Sequence, residues 1–176
     1  MFIVIEDLKE KPLHVRHEFP AGEIAFSHED ARLDAPVMTD FTLTPEHRDL
    51  RVSGSVKTAI SFRCSRCARE FSRPFSAAFD LFYVPQPEYA GTDAEVELKY
   101  EDMEVGYYDG IVFDVNVMAL EQIELAMPMQ YVCREDCKGL CYKCGADLNE
   151  GACSCAEEPD ARLSVLLEFQ KKLENG

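Results

Sequence analysis

The residues of this chain whose types and spacing could do chemistry are its cysteines. There are eight in 176 residues. Six of them fall in one polar stretch, CREDCKGLCYKCGADLNEGACSC, residues 133–155, and the other two form Cys64-x2-Cys67 in CSRC. Clustered thiols serve three chemistries: thiolates clamp a metal ion, oxidised pairs staple the chain, and a pair with one acidified thiol exchanges electrons. Cys141-x2-Cys144 followed by Gly145 has the form of a zinc knuckle, in which a short loop converges two thiolates and glycine lets backbone amides turn toward the sulfurs. Cys153-x-Cys155 is a second close pair, brought back by the turn-favouring GADLNEGA. Four thiolates from two pairs make a closed tetrahedral site, so zinc bound by Cys141, Cys144, Cys153 and Cys155 is expected to be structural.

Apolar content supports the metal reading. Between Arg134 and Ala152 the large apolar residues are Leu140, Tyr142 and Leu148, too few to offset an ordering cost of about 1–2 kcal/mol per residue. A structural zinc contributes on the order of 10–16 kcal/mol in small peptides. Cys133-x3-Cys137 is looser than a standard knuckle. Those two thiols extend the first site, join another pair, or remain outside any site. Cys64-x2-Cys67 is the natural partner pair, since eight cysteines then divide into two sets of four. A thioredoxin-like role for Cys64 and Cys67 would place them at the start of a helix in a βαβ setting, and here they sit between strands. The four histidines, His14, His17, His28 and His47, show no metal-ligand pattern and read as surface residues. No Gly-rich phosphate loop follows a strand, and nucleophile-elbow and zinc-deaminase signatures are absent. A non-enzymatic protein with no small-molecule substrate is expected.

The elements that must position these residues are mainly strands. MFIVIED, PLHVRHEF and APVMTDFTL read as short strands separated by turns. Val56, Thr58, Ile60, Phe62 and Cys64 alternate with polar or small residues, and Phe71, Phe75, Ala77, Phe79, Leu81 and Tyr83 keep one parity on the return, so two long antiparallel strands joined across CSRC are expected. Pro74 lacks a donor N–H, which restricts it to an edge or a bulge. Residues 84–95 read as an exposed loop, and VELKYEDMEVGYYDG and IVFD as further strands. Asp114 caps an expected helix over 114–127 with Ala119, Leu120, Ile123, Ala126 and Met127 on one stripe, and Pro128 stops it. Asp160 caps a second expected helix with Leu163, Leu166, Leu167 and Leu173 inward. The expected fold is α+β: an antiparallel β-rich body, an open barrel or sandwich-like sheet, with two C-terminal helices flanking a small zinc-binding module. Residues 1–132 form the body and 133–176 the module with its closing helix.

The formal net charge of −15 argues against a generally basic nucleic-acid binder. The charge is polarised, however. Residues 48–73 carry seven basic and two acidic side chains, a local +5, while 81–132 carry eleven acids and one base, a local −10. Arg63, Arg66, Arg69 and Arg73 surround the CSRC turn and are the expected partner-binding residues. MFIVIEDLKE shows no signal-peptide pattern and no apolar run approaches the ~20 residues that span a bilayer, so a soluble cytoplasmic protein without membrane contact is expected.

Two stretches taken together resemble a known family. CSRCAREFSRPF after an alternating strand, and CREDCKGLCYKCGADLN followed by CSC and DARLSVL, are similar to the bacterial large ribosomal RNA subunit accumulation proteins, the YceD family, in the form with a cysteine-rich C-terminal module. With FDVNVMALEQIELAMPM between them, the resemblance runs from Val52 to Leu173. It implies a cytoplasmic ribosome-biogenesis factor that supports accumulation of large-subunit (23S-type) rRNA and has no established catalytic residue. Its implied partners are precursor large-subunit rRNA, a basic ribosomal or assembly protein, or both. The family is often encoded beside a zinc-containing ribosomal protein and has plastid relatives. Some members keep the first cysteine pair without the module, which implies that Cys64 and Cys67 can act without it. Tyr142 stands where the family commonly has proline, which leaves that turn less rigid but removes no ligand. The competing expectation is a thiol-based redox sensor that releases zinc on oxidation.

Overall fold

The structure is a computed structural model and describes residues 1–9, 11–86 and 105–155. The chain divides into two compact units, one of residues 1–65 and 69–133, the other of residues 66–68 and 134 onward.

The first unit is a strand body with one helix. Its elements in chain order are β1 (Phe2–Val4), a short 3-10 helix (Ile5–Leu8), β2 (Leu13–Phe19), β3 (Ala31–Leu33), β4 (Val37–Glu46), β5 (Asp49–Arg63), β6 (Glu70–Pro85), β7 (Val105–Tyr108), β8 (Val112–Asp114) and α1 (Val115–Ala126). Six strands form one sheet in the order β2-β4-β5-β6-β7, with β3 also pairing β5, and β1 and β8 form a separate two-stranded sheet. The centre is the long hairpin of β5 and β6, whose antiparallel register runs from Leu50 opposite Tyr83 to Arg63 opposite Glu70. The CSRC turn therefore sits at the tip of a hairpin that is paired along its whole length.

Alternation fixes which face is inside. Val37, Thr39, Phe41 and Leu43 of β4 and Leu50, Val52, Val56, Ile60 and Phe62 of β5 are buried, while many of their neighbours in sequence are exposed or half-buried. Thr39 enters this core with its hydroxyl donating to the His17 carbonyl at 3.2 Å, which satisfies the one polar group its burial would otherwise orphan. Pro74 stands opposite Ala59, and β6 meets its second neighbour, β7, only from Phe82 to Pro85. Among the described residues Pro74 thus occupies a stretch of β6 with one partner, where its missing N–H costs no ladder bond.

Three expectations are corrected. The body is not wholly antiparallel: β7 runs parallel to β6. Parallel neighbours need a connection of about a dozen residues or more, and nineteen residues separate Pro85 from Val105. Residues 5–8 leave the expected first strand for a 3-10 turn that ends at Lys9 with φ +47°. On α1, Asp114 does cap the helix by accepting from the Asn116 N–H at 2.9 Å, but the buried face is Val115, Met118, Ala119, Gln122 and Ile123. Ala119 and Ile123 belong to both stripes, whereas Leu120 is half-buried and Ala126 exposed. The helix carries apolar residues on nearly every side, so spacing alone could not choose its inner face. The second expected helix, residues 96–104 of the strand expected over 96–110 and residues 87–95 of the expected 84–95 loop lie outside the described residues, while Val84 and Pro85 of that loop belong to β6. Among the described residues no helix is long and apolar enough to cross a membrane.

The second unit lacks an apolar core among its described residues. Its buried apolar side chains are those of Cys67, Cys137 and Cys141, while Leu140 is 40% exposed and Tyr142 76%. Its order rests on a short bridge between Leu140 and Asp147 and on a set of turns.

Candidate metal centres

The eight cysteines gather into two groups. The Sγ atoms of Cys64, Cys67, Cys133 and Cys137 lie within 4.8 Å of one another, and so do those of Cys141, Cys144, Cys153 and Cys155. A tetrahedral site with metal–sulfur bonds of about 2.3 Å places its sulfurs about 3.8 Å apart, so both groups are of the size that such an ion requires. Each supplies four sulfur donors and could hold a metal ion. Cys133 and Cys137, whose loose spacing left their partners open, stand with the hairpin-tip pair.

Local backbone geometry explains why the pairs converge. In the second group the Cys141 N–H donates to the Ala146 carbonyl at 2.8 Å and the Gly145 N–H returns to the Cys141 carbonyl at 2.8 Å, with Gly145 at φ +73°. In the hairpin tip the Cys64 N–H donates to the Arg69 carbonyl at 2.9 Å, again a donor to the carbonyl five residues on, and Ala68 takes φ +56°. The two Cys-x2-Cys segments are therefore the same knuckle, one with glycine at the left-handed position and one with alanine. An L-residue with a Cβ is penalised in that region. Ala68→Gly is expected to raise stability by about 1 kcal/mol and Gly145→Ala to lower it by about 1 kcal/mol. Urea denaturation of the metal-loaded variants checks both signs, and equal behaviour of the two would contradict the equivalence of the knuckles.

Electrostatics in the second group follow from that turn. The backbone N–H groups of Cys144 and Lys143, helped by the Cys153 thiol, bring the Cys141 thiol down to about 6, because hydrogen bonds to the sulfur favour its charged form. Cys155 is pushed up to about 12, first by its hydrogen bond with Cys144 and then by burial. One sulfur is thus held ready as a thiolate while another keeps its proton as a donor, and a bound cation would replace that shared proton.

Other residues hold the ligands in place. Asn149 is the one that sequence reasoning missed. Its Oδ1 accepts from the Lys138 N–H at 2.8 Å and from Arg134 at 2.9 Å, and its Nδ2 donates to Asp147 at 2.6 Å and to the Cys137 sulfur at 3.5 Å. The only signal for it lies in DLN, two turn-forming Asx residues flanking a leucine. Gly139 is required for a different reason: a Cβ there would lie 2.9 Å from the Arg66 carbonyl oxygen, the oxygen that accepts from the Leu140 N–H at 3.0 Å. Asn149→Ala is expected to weaken metal affinity at the Cys137 group by about 10–100-fold. Competition with a chromophoric chelator measures it, and unchanged affinity would reduce Asn149 to a turn residue.

The four arginines expected to bind a partner are all exposed, but they are not equivalent. Arg66 donates through Nη1 to the carbonyls of Glu135 at 3.2 Å and Cys137 at 3.0 Å. Arg73 donates through Nη2 to the carbonyls of Val132 at 2.9 Å and Cys133 at 3.0 Å, with its guanidinium 5.0 Å from the Phe71 ring centroid. Both fix the backbone beside a sulfur ligand. Arg63 faces Asp30 at 3.7 Å, a loose solvent-exposed pair of small energetic weight.

A β-rich body and two all-cysteine groups that could each hold a metal ion define the class of protein. Comparison with known proteins places it more narrowly. The chain belongs to the family described as large ribosomal RNA subunit accumulation protein YceD, whose model matches residues 52–170. It is 27% identical over 153 residues to the chloroplastic large ribosomal RNA subunit accumulation protein YCED homolog 1 of Zea mays, covering 74% of this chain and 52% of that protein. The Arabidopsis thaliana homolog 1 is 25% identical over 143 residues, 70% of this chain and 44% of that one. An uncharacterized protein of Mycobacterium bovis is 28% identical over 140 residues, 78% of this chain and 64% of that one. The chain thus spans about half the length of the plant relatives and under two thirds of the mycobacterial one. No solved structure matches it significantly.

Proposed function

We propose that this protein is a non-enzymatic ribosome-biogenesis factor, acting in the bacterial cytoplasm, that supports accumulation of large-subunit rRNA by contacting precursor rRNA through the arginine-bearing hairpin tip. The observation that carries this reading is the family match across 52–170, which includes the tip and the cysteine-rich module together. The metal in both cysteine groups would be zinc: four thiolates are its usual structural donor set, and four protein ligands leave no coordination position for a substrate. In this role zinc supplies cohesion, and the chain's own residues supply recognition.

The tip is suited to phosphate. Arg63 and Arg69 lie on its exposed surface beside Arg66 and Arg73, and these four basic residues between 63 and 73 oppose one acid, Glu70. The acidic residues of 81–132 would limit non-specific attachment to polyanions.

Depletion of the protein in its host should lower the ratio of large- to small-subunit rRNA, and an unchanged ratio would remove the proposal. The mode of recognition is tested separately with purified protein and precursor rRNA fragments. Arg63→Gln with Arg69→Gln should weaken binding and reduce the salt slope by about one for each phosphate that is no longer neutralised. Wild-type binding and slope in that variant, with the rRNA ratio still dependent on the protein, would move recognition to an assembly protein.

A further inference from the structure

We infer that a second binding site, on the face of the strand body built from β6, β7, β8 and α1, takes the cationic side chain of a lysine or arginine presented by a basic protein. The site is a cavity of 220 Å³ lined by Tyr83, Tyr107, Tyr108, Phe113, Glu121 and Val117, together with Asp114 and Met118. Four of its eight lining residues are aromatic, two are acids, and no lysine or arginine is among them. Ring faces carry negative potential, and a cation seated among them beside a carboxylate gains from both sources at once.

The local geometry keeps the rings fixed. Phe113 meets Tyr83 edge to face at 4.9 Å, and the Tyr108 hydroxyl is tethered to the Arg48 carbonyl at 2.7 Å. Glu121 is the anion that faces an incoming cation, because its side chain is exposed whereas Asp114 is half-buried and caps α1. Burial raises the Glu121 carboxyl above its ordinary range and the neighbouring Glu124 carboxylate raises it further, while a hydrogen bond from Tyr83 opposes both. A cation beside the two glutamates would relieve their mutual repulsion.

Size and surroundings identify the occupant. The cavity is smaller than the roughly 300–1,000 Å³ typical of small-molecule sites, so it suits the end of one side chain. Its rim includes Tyr107, 47% exposed, and Val117, 50% exposed, apolar surface that a partner protein would cover and a small free cation would not. Among the described residues of 81–132 the charged side chains are Asp109, Asp114, Glu121 and Glu124, all acidic, a local charge that draws basic partners.

The test is a titration of the full-length, zinc-loaded protein, followed by tyrosine-ring and backbone NMR, with three probes at equal concentration: a nine-residue peptide containing three arginines, the same peptide with glutamine at those positions, and spermidine. The arginine peptide should shift the Tyr107 and Val117 signals saturably, and Tyr107→Ala and Glu121→Gln should each weaken it about tenfold. Tyr107→Ala leaves the net charge unchanged, so it separates this pocket from general attraction to an acidic protein. Both side chains are exposed, and unchanged amide spectra outside the pocket would show that the variants fold. Binding that survives Tyr107→Ala, equal binding of the glutamine peptide, or saturable shifts with spermidine alone would each overturn the proposal.

Discussion

Stripping the metal with a chelator is expected to unfold residues 134–155 and leave the strand body folded. The asymmetry follows from where the apolar core lies. Every member of the buried cluster falls between Ile3 and Ile123, and it includes Phe41, Ile60 and Phe113. The second unit contributes only three cysteines, Cys67, Cys137 and Cys141, to the buried apolar side chains among the described residues, so sulfur ligation of a metal would replace a core there. The apparent binding free energy of such a site is on the order of 10–16 kcal/mol, larger than any single side-chain interaction in the molecule. Hydrogen exchange before and after chelation reads the result directly. The amides of Leu140, Cys141 and Leu148, which donate to backbone carbonyls within the second unit, should lose protection completely, while those of β4 and β5 should keep theirs. Retained protection at those three amides would mean that backbone turns alone hold the unit.

Phe113→Ala is expected to destabilise the body by about 3–5 kcal/mol. Phe113 is 2% exposed and sits on β8, which pairs with β1 in the register Ile3 opposite Phe113. It also packs against Tyr83 of the central hairpin. Deleting the ring leaves a cavity among Tyr83, Ile3 and α1 that rigid neighbours cannot close, and it forfeits an aromatic pair worth about 0.5–1.5 kcal/mol beyond its buried area. Against a total stability of about 5–15 kcal/mol the loss is large. Urea denaturation measures it, with the slope m expected to stay constant. A loss under about 1 kcal/mol would show that the two-stranded β1–β8 sheet is not integral to the core.

How much of this was legible in the sequence depends on whether a residue's role is local. The β5–β6 hairpin could be read from alternation because one face is buried along its length, and each step from Val56 to Phe62 repeats the same signal. The Cys141–Gly145 knuckle was legible because its ligands, its turn and its glycine fall within five residues. Its twin at Cys64–Ala68 was harder, since alanine gives no hint of a positive φ. The parallel placement of β7 depends on a long crossover, and the inner face of α1 depends on what packs against it, so neither is encoded within its own segment. Arg66 and Arg73 could be read as exposed cations. Their hydrogen bonds to carbonyls about sixty to seventy residues away are set by tertiary approach and leave no trace in spacing.

The hydrogen bond from the Cys133 N–H to the Cys64 sulfur spans 69 residues of chain, and that interval has a consequence in time. Synthesis proceeds at about 5–20 residues per second, so roughly 3–14 s pass between the two cysteines. The ligands of the second group emerge within fifteen residues of one another, from Cys141 to Cys155. Ion capture by the Cys64 group would therefore wait for the rest of the strand body to be made. Its closure would mark completion of the strand body, while the thiols at the hairpin tip pass those seconds without half of their set.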